Sequence, residues 1–122
     1  MKGAREYLEK RSSWREAERC PLYNRDSVNA ALTQLGYILK NDVASAVISV
    51  GAWPILAPER FSTVVGRSRS GGPTSVPVLV ATGSLRDVDF RLLARHHVSA
   101  FVSIDFKEMG WQAYKMMHGL VE

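Results

Sequence analysis

Three short runs rich in β-branched residues, each followed by a turn and a stretch with helical apolar spacing, constrain this chain more than anything else in it. Residues 46–50 (Ala46-Val47-Ile48-Ser49-Val50), 77–81 (Pro77-Val78-Leu79-Val80-Ala81) and 100–104 (Ala100-Phe101-Val102-Ser103-Ile104) are strand-length and almost continuously apolar, the pattern of strands covered on both faces. Strands alternating with helices predict an α/β domain, a three-layer sandwich in which right-handed crossovers join a mainly parallel sheet and helices pack on both sides. A length of 122 residues with 46% hydrophobic and 23% charged residues suits one domain over residues 1–122. Disorder is excluded by the apolar content, and a collagenous or disulfide-built scaffold by nine glycines and the single Cys20.

The helical stretches are legible in turn. Residues 2–17 are charged and helix-prone, with Tyr7 and Leu8 apolar, and an extended piece follows at 19–23. Asn24, Arg25 and Asp26 supply a polar turn and a cap for the clearest helix, 27–40, where Val28, Ala31, Leu32, Leu35, Ile38 and Leu39 form one stripe. Pro58 suits the first position of a helix reaching Val65, because its fixed φ fits there and its missing N–H is not needed. A flexible basic loop is expected over 66–72, a helix over 86–95 with Ser84 as its cap, and a last helix with Met109, Ala113, Met116, Met117 and Leu120 on one face.

Charge narrows the partners. Residues 1–25 hold seven basic side chains against four Glu, and the rest holds nine against eight. A solvated helix face explains the early excess, and no basic stripe interleaved with aromatics follows, so no nucleic-acid partner is expected. No apolar stretch has the length of a signal peptide or a membrane span, so no membrane insertion is expected.

In an α/β sheet of this kind the loops at the carboxyl ends of the strands carry function. They are the segments around Gly51-Ala52-Trp53, Thr82-Gly83-Ser84 and Asp105-Phe106, joined by Asn24-Arg25. No phosphate-binding glycine loop follows any strand. Arg67-Ser68-Arg69-Ser70-Gly71-Gly72 has the residues to contact an anion, but also the composition of a surface loop. Adjacent His96 and His97 diverge and His118 is remote in sequence, so no metal is expected. Cys20, Ser49, Ser84 and Ser103 lack a nucleophile elbow and an identifiable base, and Asp87 with Asp89, like Asp105 with Glu108, read as acidic groups placed near helix starts. The chain is therefore expected not to be an enzyme, with no cofactor. Trp53 offers a flat apolar face for stacking a sugar ring, and core packing is the commoner use of such a residue.

Taken together, Gly3-Ala4-Arg5-Glu6-Tyr7-Leu8, Cys20-Pro21-Leu22-Tyr23-Asn24-Arg25-Asp26, Val47-Ile48-Ser49-Val50-Gly51-Ala52-Trp53-Pro54 and Phe101-Val102-Ser103-Ile104-Asp105-Phe106-Lys107-Glu108-Met109-Gly110 resemble the C-terminal lobe of sugar-binding periplasmic-binding-protein-like domains. This is the family of ribose-type ABC-transporter solute-binding proteins and LacI-type effector domains. The resemblance covers nearly the whole chain. It implies a lobe that closes with a second lobe over a small sugar or polyol, an ABC-transporter permease as partner, and a periplasmic location. The alternative it allows is the effector-binding part of a LacI-type transcription regulator.

Under the resemblance, Trp53 stacks on the ligand while Thr82, Ser84 and Asp105 hydrogen-bond to it. Two departures point to a degenerate site: Gly83 stands where the family's fourth strand ends in an acidic residue, and Ile104 where the fifth usually carries Gln. Each lost contact leaves a buried hydroxyl unpaired, at roughly 1–3 kcal/mol. The chain also lacks the lobe's first, central strand under this alignment, and so is expected to be a truncated, partial domain.

Overall fold

The computed structural model describes residues 2–11, 13, 15–17, 19–69 and 76–121. Strands β1 (Val47–Val50), β2 (Val78–Thr82) and β3 (Ala100–Ser103) form a parallel sheet in the order β1-β2-β3. Helix α1 (Lys2–Glu9) precedes α2 (Val28–Lys40), which leads into β1. Between β1 and β2 come a single 3-10 turn (Trp53–Leu56) and α3 (Pro58–Arg69), α4 (Asp87–Ala94) links β2 to β3, and α5 (Phe106–Val121) follows. The expected mixed α/β architecture with a parallel sheet is present.

One face of that sheet is packed. Val78 and Val80 are buried against Leu32, Leu35 and Leu39 of α2, Phe61 and Val65 of α3, and Leu92 of α4, with Ile55 and Val98 in the same core and Val47 and Phe101 packed against it. The stripe read from residues 27–40 is the face that α2 buries, started by Ser27, whose Oγ accepts from the Ala30 N–H at 3.2 Å. Sequential strands joined by crossovers of one hand place their helices on one side, which is why α3 and α4 share this layer.

The expectation of helices on both faces is not met among the described residues. Ile48, Val50 and Val102 point away from the core and are 48%, 54% and 63% exposed. The register sets Ile48 beside Leu79 and Ala100, and Val50 beside Ala81 and Val102, so these residues form two rows on one uncovered apolar face. A continuous apolar run specifies two apolar faces, and it does not by itself supply a helix for each. Helix α5 leaves that face bare, since its side chains from Phe106 through Gly119 are all exposed.

Other boundaries also shift. Helix α1 stops at Glu9 rather than 17: its apolar patch is only Tyr7 and Leu8, and so short a helix gains little without broad packing. Residues 19–23 form no strand: Arg19 sits at φ 66° and Pro21 has no N–H for a ladder. Helix α3 runs past Val65 through Arg69, because one glycine costs a helix only about 1 kcal/mol. Gly66, Arg67, Ser68 and Arg69 are therefore helical, while Ser70, Gly71 and Gly72 lie outside the described residues. The cap of α4 is Arg86 rather than Ser84.

Candidate functional site

The four sequence-predicted ligand residues stand at the carboxyl ends of the three strands. Trp53 follows β1, Thr82 ends β2 with Ser84 just beyond, and Asp105 lies between β3 and α5. Helix α2 leads directly into β1, so its start comes to the same edge, and there Arg60 donates to Asn29 Oδ1 at 2.7 Å between the first turns of α3 and α2. The adjoining turn is closed by Asn24 Oδ1, which accepts from the Asp26 N–H at 3.0 Å. Topology thus gathers these loops, and no hydrogen bond joins Trp53 or Asp105 to the other predicted residues.

Trp53 is half-buried at the start of the 3-10 turn, and Gly51 sets its place. Gly51 has φ 114°, and its N–H donates to the Ala81 carbonyl at 2.7 Å while its own carbonyl accepts from Ser49 Oγ at 3.0 Å. A Cβ on Gly51 would stand 3.2 Å from Trp53 Cδ1 and 3.3 Å from Nε1. Both the backbone conformation and this close approach require glycine, so the indole lies folded over the end of β1.

The polar side chains are partly spent on local structure. Thr82 Oγ1 donates to the Ser84 carbonyl at 3.2 Å. Asp105 Oδ1 accepts from the Glu108 N–H at 2.9 Å, capping α5. Of the four predicted residues, what is left for a ligand is the Trp53 ring and Nε1–H, Thr82 Oγ1 as an acceptor, Ser84 Oγ, and the second oxygen of Asp105. That set suits a small neutral molecule rich in hydroxyls.

Arg86 and Asp89 were not singled out as a site pair from sequence, yet they join two of these loops. The Arg86 guanidinium donates to Asp89 at 2.7 and 3.1 Å and to the Ile55 carbonyl at 2.9 Å, which ties the turn carrying Trp53 to the start of α4. The Arg86 N–H also donates to Asp89 Oδ2 at 2.8 Å, a one-sided capping box because arginine has no acceptor to return. Burial pushes the Asp89 carboxyl upward, but the Arg86 side-chain and backbone hydrogen bonds and its charge outweigh that and hold it below the usual carboxylate range. The same hydrogen bond raises Arg86 further above neutrality. Asp89 is fully buried, whereas Asp87 is exposed, so the two carboxylates face different surroundings. The spacing Arg-x-x-Asp at a helix start was the available signal. A second link comes from Phe106, whose Cζ would be 3.9 Å from a Cβ on Gly83, setting α5's first residue beside the β2–α4 loop.

The remaining candidates stay apart. His97 Nδ1 pairs with Ser62 Oγ at 3.0 Å, His96 is exposed at φ 57°, and His118 lies against Tyr114 with centroids 5.8 Å apart. No group of three or more His, Cys, Asp or Glu among the described residues is placed to hold a metal ion. Ser103 Oγ donates to the Ile104 carbonyl at 3.4 Å, and Cys20 is exposed. No described helix is long and apolar enough to cross a membrane. No known protein family, curated protein or solved structure matches the chain.

Proposed function

We propose that the chain is a carbohydrate-binding lobe of a solute-binding protein of the ABC-transporter type, non-enzymatic, with the ligand at the carboxyl edge of the sheet. The observation that carries this reading is the half-buried Trp53 indole, fixed over Gly51 at that edge, with Ser84 Oγ and one Asp105 oxygen on the neighbouring loops. An apolar ring face complements the C–H face of a sugar, and the flanking groups accept and donate to its hydroxyls. The resemblance in sequence supports the same reading, including a periplasmic location, a permease partner and a second lobe that closes over the ligand. Gly83 and Ile104 supply no polar side chain, so recognition by this lobe alone is weak.

A thermal-shift screen against pentoses, hexoses and inositols tests this. One sugar raises the melting temperature by about 10 °C at about 100 times its Kd, equivalent to roughly 2.7 kcal/mol. Ser84→Ala, at an exposed hydroxyl, leaves the unliganded melt in place and diminishes that shift, and Trp53→Ala abolishes it. A cooperative melt that no sugar moves overturns the reading.

A further inference from the structure

The uncovered sheet face and α5 are two unpartnered apolar surfaces on one chain, and we infer that each is covered by the other in a second copy. In the resulting reciprocal dimer, α5 of each protomer lies across the Ile48–Leu79–Ala100 and Val50–Ala81–Val102 rows of its partner. This inference does not depend on sugar binding.

The dimensions fit. Three strands spaced about 4.8 Å apart present a face about 10 Å between its outer strands, which one helix of about 10–12 Å diameter spans. Helix α5 has 16 residues and is therefore about 24 Å long, enough to cover strands of four or five residues. Phe106, Met109, Ala113, Met116 and Met117 recur at helical spacing along one side, Gln112 borders it beside Met116, and Glu108, Lys115 and Trp111 lie on the far side, so the docking side carries no charge to desolvate. The sheet rows carry none either.

The exposed area also matches. Ile48, Val50, Val102, Ile104, Phe106, Met109, Met116 and Met117 are 48% to 71% exposed. Side chains of this size, roughly half exposed, amount to roughly 800 Å² per copy. A monomer's largest apolar patch is typically about 300–600 Å², and a standard interface takes about 800 Å² from each partner.

The connector argues for a second copy over the chain's own helix. Only Ile104 and Asp105 separate β3 from α5, and Asp105 is engaged twice, its side chain accepting from Glu108 N–H and its carbonyl from Met109 N–H, each at 2.9 Å. With this connector formed, α5 keeps its apolar side exposed and off its own sheet. A second copy's helix reaches the face without any change in the connector. Two such contacts related by a two-fold axis close the assembly.

Sedimentation equilibrium from about 1 to 100 µM tests the inference, with Cys20→Ser in every protein so that no disulfide links chains. The expected species is a dimer. Val102→Asp on the sheet and Met117→Glu on the helix, both at exposed positions, each raise its dissociation constant by at least about a hundredfold, because a charge enters an apolar contact. An equimolar mixture of the two variants associates more tightly than either variant alone but less tightly than the wild type, since one of its two contacts pairs an intact helix with an intact sheet and the other carries both charges. Val50→Asp with Met116→Glu repeats the test at independent positions if circular dichroism shows either first variant unfolded. A wild-type chain that stays monomeric, a dimer indifferent to these substitutions, or a mixture that associates no more tightly than either variant alone overturns the inference.

Discussion

The two faces of the sheet come from the same three strands and similar side chains, yet one is the centre of the core and the other is bare. On the first, Val78 and Val80 are at most 1% exposed under three helices; on the second, Val50 and Val102 are more than half exposed. Strand sequence does not distinguish these valines. What separates them is that α2, α3 and α4 each bring a buried stripe to one side, while α5, just as amphipathic, brings its stripe to neither. An apolar strand face is therefore a demand for a partner, and the helices decide which demand is met within the chain.

The sharpest way to break this comparison is to cut into the packed side. Phe61→Ala removes a fully buried ring and is expected to cost about 3–5 kcal/mol in urea denaturation, enough to unfold much of a small domain. A loss below about 1 kcal/mol would show that the packed face is not the core.

Asp89→Asn comes next, at about 2 kcal/mol, short of the usual cost of breaking a buried pair because Arg86, 42% exposed, keeps its access to water. The Asp89 carboxyl is held low in the folded state, so its contribution is present above the ordinary carboxylate range near pH 4 and is lost as pH falls through the folded value. Stability of the wild type measured from pH 7 down to pH 2 therefore carries an acid-dependent component that the Asn variant lacks. Identical pH profiles would remove the Arg86–Asp89 pair from the account of how the loop carrying Trp53 is held.

Val102→Thr, on the bare face, is expected to change stability by no more than about 0.5 kcal/mol when measured in the Met117→Glu background, which weakens the dimer. A larger loss under those conditions would mean that α5 or another element covers the face within one molecule.

Much of the candidate site was legible because turn chemistry is local. Gly51 before Trp53, Thr82-Gly83-Ser84 and Asp105 before a helix mark strand ends whatever packs around them. Their partners were not legible: Ser84 reads as a cap by type, but the chain continues extended to Arg86, and the buried Asp89 carboxylate takes the capping bond instead. Nor did spacing reveal that Arg86 reaches back to Ile55, 31 residues earlier in the chain. In the same way, residues 2–17 look helical by composition, but only Lys2–Glu9 form α1, and Arg5 then binds Glu16 through two hydrogen bonds of 3.0 and 2.8 Å across the turn that follows.

By itself the sequence determined three strands, the amphipathic face of α2, the glycine at the end of β1 and the loops that meet at the carboxyl edge. Each is set by residues a few positions apart, through periodicity, φ preference or capping. Tertiary structure alone decided that the helical layer is one-sided, that Asp89 is buried under Arg86, and that α5 stands away from its own sheet. Those outcomes depend on which surfaces meet across tens of residues, and an apolar pattern states that a surface must be covered without naming what covers it.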